Sequence, residues 1–203
     1  MIAIIDYGVG NLFSLKSSFS YIGKDVLVTG DPEKISDCDR IILPGVGAFG
    51  DAAKKLEQTR LNEILEQEAE KGTPILGICL GMQLLFDKSY EHGEYKGLGL
   101  IKGNVRPIAD VIPKYYKIPH IGWNSLKLAK TKSPIYKYTN DGDFVYFVHS
   151  FYAADCAESV SAETEYGAML TASVQNRNVF GTQFHPEKSG ETGLKILRAF
   201  CEI

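Results

Sequence analysis

The sequence has 203 residues, of which 44% are hydrophobic and 23% charged, the ordinary balance of a globular protein with one full-sized core. Its 22 basic and 25 acidic side chains leave a formal net charge of -3, and no block of like charges forms a tail. This balance gives no reason to expect a nucleic-acid partner.

The cysteines and the apolar runs indicate which cellular class of protein this is. The four cysteines lie far apart and form no C-x-x-C pair, which argues against a zinc site or a disulfide framework. The apolar run after Met1 is too short for a signal peptide and has no basic segment before it. No apolar run approaches the roughly 20 residues of a membrane-spanning helix. We therefore expect a soluble, cytoplasmic protein with reduced thiols.

Strand and helix patterns alternate through the first half of the chain. A buried strand is predicted at residues 2–5, and Asn11 is expected to cap a helix that ends at Gly23. The further predictions are strands at 25–29, 40–43 and 73–78, helical sequence at about 50–71, and another helix after Cys79. Such alternation is typical of a parallel sheet covered by helices on both faces.

Short β-rich segments dominate the second half, with little helical sequence between them. They lie at 144–149, 159–163, 169–174 and 179–184, and a final helix is predicted near 193–201. These segments predict an antiparallel or mixed extension of the sheet. Because there is no repeat and no flexible linker, we expect a single α/β domain over residues 1–203.

The strongest chemical signal is Gly77-Ile78-Cys79-Leu80-Gly81, which follows a predicted strand and opens a predicted helix, as a nucleophile elbow does. The glycines permit a turn whose close approaches a Cβ would obstruct. Such a turn lifts the Cys79 sulfur above the sheet at a helix N-terminus, where the helix dipole favours the reactive thiolate. The alternative is a buried structural cysteine. The other three cysteines have no comparable context.

A second signal is His185-Pro186-Glu187, which follows the last predicted strand. A thiol nucleophile needs a group that accepts a proton and later protonates the leaving group, and histidine does both near neutral pH. A carboxylate two residues later can fix the tautomer of the imidazole. The tripeptide alone fits a surface or capping histidine better than a catalytic one, but the end of a strand is where α/β sheets place their sites.

Other segments are less specific. Pro44-Gly45-Val46-Gly47 also ends a predicted strand, and its glycines can present N–H groups to an oxyanion, although a tight turn is the simpler interpretation. Gly8-Val9-Gly10 is not a dinucleotide fingerprint, because Phe13 stands where glycine is required. His92 is expected to face solvent, and structural roles are expected for His120 and His149. Trp123 fits either the core or an interface.

Taken together, residues 77–83 and 185–187 resemble the class I (triad) glutamine amidotransferases. Four further segments are similar to those of the glutaminase subunits of imidazole glycerol phosphate synthases: residues 6–11, 43–49, 119–124 and 181–190. These segments extend from residue 6 to residue 190, nearly the whole chain. The resemblance implies the class I amidotransferase fold, a flavodoxin-like central parallel sheet flanked by helices, with an antiparallel or mixed C-terminal extension.

The resemblance also implies a set of site residues. Cys79 is the expected nucleophile, His185 the base and acid, and Glu187 the residue that orients His185. The other implied residues are two oxyanion donors, Val46 and Leu80, and four glutamine-binding residues, Gly47, Gln83, Ser150 and Phe151. No metal and no cofactor are implied.

A partner is implied as well. In this family a βα-barrel cyclase receives the ammonia and makes imidazole glycerol phosphate and AICAR in histidine biosynthesis. We therefore expect L-glutamine as substrate and a heterodimer as the working form, since no second domain that could consume ammonia is evident in the sequence. The glycine-flanked peptide at Val46 is a candidate switch, because it can turn its N–H toward or away from the oxyanion.

Three alternatives stay open. A paralogous glutaminase subunit that feeds ammonia to another synthase, for example in sugar modification, would have the same catalytic residues. A chaperone- or peptidase-like protein of related fold would also carry an elbow cysteine, but usually with histidine at the position of Leu80. A non-catalytic binding subunit is disfavoured because every catalytic position is occupied.

Overall fold

The computed structural model describes all 203 residues of the chain. Six α-helices are present: α1 (Leu12–Tyr21), α2 (Pro32–Ser36), α3 (Phe49–Gln58), α4 (Leu61–Lys71), α5 (Leu80–Leu84) and α6 (Gly190–Phe200). The strands are β1 (Ile2–Ile5), β2 (Val26–Thr29), β3 (Arg40–Leu43), β4 (Ile75–Ile78), β5 (Phe86–Ser89), β6 (Tyr95–Lys96), β7 (Ile101–Pro107), β8 (His120–Ser125), β9 (Lys127–Leu128), β10 (Phe144–His149), β11 (Phe151–Ala154), β12 (Val160–Glu165), β13 (Met169–Asn176) and β14 (Val179–Thr182). None of the six helices combines the length and the apolar character needed to cross a membrane.

An eight-stranded sheet forms the centre, in the order β2-β1-β3-β4-β14-β13-β12-β9. The first five strands run parallel. With β14 as the fifth strand, their order is the 2-1-3-4-5 order of flavodoxin-like sheets. Each of the last three strands is antiparallel to its neighbour. The predicted parallel sheet and its antiparallel extension are therefore both confirmed, as parts of one continuous sheet.

Alternating side chains of the central strands divide the core into two clusters on opposite faces. In β1, Ala3 and Ile5 belong to one cluster, whereas Ile2 and Ile4 belong to the other. Helices α3 and α4 cover the first face, and α1 and α6 cover the second. Burial on both faces is why β1 and β4 are apolar at nearly every position.

Two smaller sheets lie outside the central one. One has the strand order β11-β7-β5-β6, and the other is the antiparallel pair of β8 and β10. In β10, Val145, Phe147 and His149 are buried, whereas β8 leaves the side chain of Trp123 about half exposed, at 52%. Trp123 is therefore not a core residue.

Several predicted bounds need correction. The helical sequence at 50–71 forms two helices, because the chain turns at Thr59 and Arg60, where Arg60 adopts a left-handed φ of 59°. The final helix begins at Gly190, three residues before its predicted start. Helix α2 and the sheet that contains β5, β6 and β7 were not predicted. The Asp31 side chain caps α2, and Pro32 opens it, so this helix had a readable signal.

Candidate active site

The carboxyl ends of three adjacent parallel strands meet at one edge of the central sheet. β4 and β14 lie side by side, with Ile78 opposite Thr182, so Cys79 and the segment that leads to His185 leave the sheet together. β3 pairs with the other side of β4, and residues 44–47 follow it. The topology therefore gathers the three sequence signals at the edge where α/β sheets place their sites.

Cys79 occupies a tight turn between β4 and α5. Its φ of 56° lies in the left-handed region, a strained conformation for a residue with a side chain. Its N–H donates to the carbonyl oxygen of Thr182 at 2.7 Å. A Cβ at Gly81 would collide with the Leu43 carbonyl oxygen, and one at Gly77 would lie 2.6 Å from that of Gly81. The turn has the glycine-dependent, close-packed form predicted for an elbow.

The helix after Cys79 differs from the prediction. α5 has only five residues, so its dipole is a weaker source of support for a thiolate than a full-length helix would be. Two polar groups lie near the buried sulfur instead. Nε2 of Gln183 is 3.8 Å from Cys79 Sγ, and the carbonyl oxygen of Val148 is 4.0 Å from it.

His185 and Glu187 form a buried pair. Nδ1 of His185 lies 2.8 Å from Oε1 of Glu187, and the two side chains are only 4% and 2% exposed. An ionised carboxylate only accepts hydrogen bonds, so Nδ1 carries the hydrogen and Nε2 is left for Cys79. Burial lowers the pKa of His185, but the Cys79 thiol and the Glu187 carboxylate outweigh it and raise that pKa to about 10. The imidazolium of His185 is therefore favoured at neutral pH.

Gln183 was not predicted as a site residue. It is fully buried beside the Cys79 sulfur, and its Oε1 accepts a hydrogen bond from Nε2 of Gln83 at 3.0 Å. The sequence held a signal for it. Gln183 lies two residues before His185, and alternate residues of an extended chain point to the same side.

The segment after β3 carries two backbone donors without acceptors beside the site. Val46 and Gly47 are exposed, and neither of their N–H groups has an acceptor within the protein. Gly47 has a φ of 94°, a conformation that glycine adopts without strain. The hydroxyl of buried Tyr7 donates to the Pro44 carbonyl oxygen at 2.8 Å and fixes the base of the segment. Free backbone donors beside a nucleophile are the requirement of an oxyanion hole.

A cavity of about 600 Å³ joins these groups, which is ample for one amino acid. Every site residue predicted from the sequence lines it except Glu187, which lies behind His185: Val46, Gly47, Cys79, Leu80, Gln83, Ser150, Phe151 and His185. His92, expected to face solvent, is exposed but also lines this cavity. No group of three or more His, Cys, Asp or Glu side chains is arranged to hold a metal ion.

Some backbone groups of Ser150 and Phe151 already form hydrogen bonds within the protein. The Ser150 carbonyl accepts from the N–H of Ile108 at 2.9 Å, and the Phe151 carbonyl accepts from both Gln83 and His149. The N–H of Ser150 has no acceptor within the protein. This segment therefore offers a ligand a donor from Ser150, whereas its carbonyl groups hold the cavity wall together.

The whole arrangement suits attack on an amide or ester carbonyl. A thiol, an imidazolium held by a carboxylate, and free N–H donors lie around one cavity. These are the parts of a cysteine hydrolase: a nucleophile, a proton carrier and oxyanion stabilisers.

Comparison with known proteins gives the family. The model of the family described as glutamine amidotransferase class-I matches residues 3–203. An imidazole glycerol phosphate synthase subunit HisH from Caldanaerobacter subterraneus subsp. tengcongensis is 51% identical, over 100% of this chain and 98% of its own length. The subunit of the same name from Oceanobacillus iheyensis is 45% identical, over 100% and 99%.

Solved structures agree on the fold. A crystal structure of a glutamine amidotransferase superposes with a TM-score of 0.77 at 17% identity, covering 100% of this chain and 98% of that one. PurLQS from Thermotoga maritima gives a TM-score of 0.77 at 22% identity, covering 99% and 97%. The predicted class I amidotransferase fold is thus confirmed, and the chaperone- or peptidase-like alternative is set aside. The chain belongs to the class I glutamine amidotransferase family, among the HisH subunits of imidazole glycerol phosphate synthase.

Proposed function

We propose that this chain hydrolyses L-glutamine as the glutaminase subunit of imidazole glycerol phosphate synthase and delivers ammonia to a βα-barrel cyclase. The observation that carries the chemistry is the meeting of Cys79 with the buried His185–Glu187 pair at two adjacent strand ends. The full-length similarity to HisH subunits supports the choice of synthase.

The first half-reaction forms a thioester. The Cys79 thiolate attacks the side-chain amide carbon of glutamine, and a carbon–sulfur bond forms as the carbonyl oxygen becomes an oxyanion. Backbone N–H groups of Val46 and Leu80 stabilise this oxyanion. The His185 imidazolium then gives its proton to the amide nitrogen, the carbon–nitrogen bond breaks, and ammonia leaves.

The second half-reaction returns the enzyme to its starting state. Neutral His185 removes a proton from water, and the resulting hydroxide attacks the thioester carbon. The carbon–sulfur bond breaks, glutamate leaves, and His185 is again protonated beside a thiolate. Glu187 only orients His185 in both steps, because Nδ1 stays bonded to the carboxylate.

Glutamine binding falls to the residues around the cavity. The N–H groups of Gly47 and Ser150 have no acceptor in the protein, so they are available to the α-carboxylate or the amide oxygen. Both side-chain N–H bonds of Gln83 are engaged, one by Gln183 and one by the Phe151 carbonyl. Gln83 therefore contacts the substrate through Oε1, which has no partner in the protein.

The partner surface is proposed around the mouth of the cavity. Val46 and Ile118 line the cavity and are 42% and 43% exposed, and Ile121 and Trp123 on neighbouring β8 are 58% and 52% exposed. An apolar group that includes a tryptophan is typical of a protein interface. Because Val46 also carries an oxyanion donor, a cyclase that docks here can bias the orientation of that peptide.

Activation by the partner is the test of this function. One oxyanion donor contributes about 2.7–4 kcal/mol, and moving a peptide from 1:99 to 99:1 requires about 5.5 kcal/mol of differential binding. We therefore expect slow glutamate release from the isolated chain and release faster by orders of magnitude with the cyclase and its nucleotide-like substrate. Full turnover by the isolated chain would exclude this control.

The paralogous glutaminase subunit is the second candidate, because catalytic residues report ammonia production and not its destination. The two candidates separate in the same assay. If another ammonia-consuming synthase activates the chain and the cyclase does not, the partner assignment is wrong, whereas glutamine hydrolysis stands.

A further inference from the structure

A continuous line of hydrogen bonds connects two backbone carbonyl groups through two buried histidines. Nδ1 of His149 lies 2.9 Å from the Phe151 carbonyl oxygen, and Nε2 of His149 lies 3.0 Å from Nδ1 of His120. Nε2 of His120 lies 2.9 Å from Oδ1 of Asn124, and Nδ2 of Asn124 donates to the Glu165 carbonyl oxygen at 2.9 Å.

Both ends of this line consist of acceptors. A carbonyl oxygen cannot donate, so Nδ1 of His149 must donate to Phe151. The Glu165 carbonyl likewise fixes the amide of Asn124, because the opposite orientation would bring two carbonyl oxygens together. Oδ1 of Asn124 is then also an acceptor, and Nε2 of His120 must donate to it.

Two neutral histidines have too few N–H groups to satisfy all the contacts in this line. Two neutral imidazoles carry one N–H each, and both are used at the ends, so two lone pairs would face each other at 3.0 Å between Nε2 of His149 and Nδ1 of His120. Either alternative tautomer moves the same clash to one end. We infer that His120 and His149 share one additional proton, and that this singly charged pair positions the glutamine-binding wall of the cavity.

The surroundings suit a single charge on His120. Its ring is stacked between Tyr166, with centroids 3.9 Å apart, and Phe147, with centroids 5.0 Å apart. Stacking on aromatic faces favours a cationic ring. No carboxylate forms an ion pair with either histidine, and the Tyr166 hydroxyl donates to the Lys117 carbonyl.

Positive His185 lies near His149 and acts against a second proton. Basic Lys188, His92 and acidic Glu91 line the same cavity. Burial lowers the pKa of His149 to about 3, and it lowers the pKa of His120 too. The same burial opposes the first proton, but without that proton a buried hydrogen bond becomes a repulsive contact. The pair therefore titrates as one unit.

The pair acts on the active site through the Phe151 carbonyl. This oxygen accepts from His149 and also from Gln83, which is bonded to Gln183 beside the Cys79 sulfur. Loss of the shared proton breaks one contact in the line and frees this part of the wall. His120 and His149 are thus positioning residues, and their effect belongs to the KM for glutamine. This functional half of the inference rests on the proposed glutamine hydrolysis.

The proton count is tested in the full chain by nuclear magnetic resonance of nitrogen-15-labelled histidine at neutral pH. Three of the four ring nitrogens of the pair should carry hydrogen. In Asn124→Ala the acceptor at one end is gone, so only two should carry hydrogen. Ser125→Ala, the exposed neighbour on β8, should keep three. Two hydrogens in the unmodified chain would overturn the inference, whether or not the protein hydrolyses glutamine.

The functional consequence is tested with the cyclase complex between neutral and mildly alkaline pH. In the unmodified protein, the KM for glutamine should rise about tenfold as the pair loses its proton, which corresponds to the loss of one hydrogen bond to a charged group. The KM of Asn124→Ala should not show this rise, because its pair carries no extra proton. In Asn124→Asp the added carboxylate should move the rise to higher pH. Identical KM profiles in all three proteins would refute the positioning role, while unchanged glutamine turnover would leave the proposed function intact.

Discussion

At the scale of single residues, the buried carboxylate of Glu187 explains how His185 stays charged. Oε1 accepts from His185, whereas Oε2 is buried without a partner in the protein. A buried carboxylate with one free oxygen is costly unless a positive charge lies beside it. The imidazolium supplies that charge, and the carboxylate in turn raises the pKa of His185.

This dependence predicts an order of severity for two substitutions. His185→Ala removes the proton carrier, so glutamine-dependent activity should fall by about 10²–10⁴-fold or more. Glu187→Gln keeps a neutral acceptor for Nδ1 and should lose less. Because the substitution removes a charge that raises the pKa of His185, the loss of activity at alkaline pH should begin at a lower pH than in the unmodified protein. Steady-state kinetics over a pH series measure both effects, and a greater loss in Glu187→Gln than in His185→Ala would require the roles to be reassigned.

Single residues also show the limits of sequence reasoning about the site. Cys79 and His185 were predictable because a glycine-flanked turn and a strand end are local signals. The engagement of the Phe151 carbonyl was not, because it depends on Gln83 and His149, which approach it from different elements. A polar side chain in a strand gives no sign of which buried acceptor it will meet.

At the scale of elements, the elbow and the segment after β3 can lie close together because glycines occupy their contact points. A Cβ at Gly81 would collide with the Leu43 carbonyl oxygen, and one at Gly45 would lie 2.8 Å from the Gly81 nitrogen. The distance between nucleophile and oxyanion donors thus depends on two glycines. Without these glycines the two turns could not approach each other this closely.

Substitution of Gly81 tests this dependence. Gly81→Ala should force the β3 segment away from the elbow, lower the free energy of unfolding by about 1–3 kcal/mol and remove most glutaminase activity. Gly142→Ala is the matched control, because Gly142 has a φ of 86° but no atom near its missing Cβ. It should cost about 1–3 kcal/mol through backbone strain while full activity remains. Equal activity in the two variants, measured at a temperature where both are folded, would contradict the steric argument.

The elements themselves were predictable to different degrees. The strand bounds at 2–5, 40–43 and 144–149 match, because unbroken apolar runs or clear alternation mark them. β5 and β6 were not predicted, because Phe86–Ser89 is buried only at its two ends and β6 has only two residues, so neither strand shows an apolar run or a regular alternation. The break at Arg60 was missed because neither glycine nor proline marks it.

At the scale of the whole molecule, buried histidines make stability depend on pH. The folded pair shares one proton, and burial opposes a second, because it holds the pKa of His149 at about 3 and lowers that of His120. In an unfolded chain both histidines titrate near 6.5, so below about pH 6.5 the unfolded chain binds both protons and the folded pair binds only one. The stability that depends on excluding the second proton is complete above that pH and is lost as the pH falls from 6.5 toward 3.

Denaturant unfolding between about pH 6.5 and pH 5 measures this loss before most carboxylates titrate. We expect the free energy of unfolding to decrease over this window, and the decrease to be smaller in His149→Gln. His92→Asn is the control, since His92 is exposed and asparagine tolerates its φ of 53°. A slope unaffected by His149→Gln would show that other groups cause the acid loss.

The central claim is that Cys79 releases ammonia from glutamine for a partner that also accepts free ammonia. Product formation by the cyclase complex, with glutamine or with an ammonium salt as nitrogen source, tests it most directly. Cys79→Ala should abolish glutamine-dependent synthesis and leave ammonium-dependent synthesis unchanged, while Cys38→Ala, which removes another buried cysteine, should retain both. Normal use of glutamine by Cys79→Ala would contradict the account.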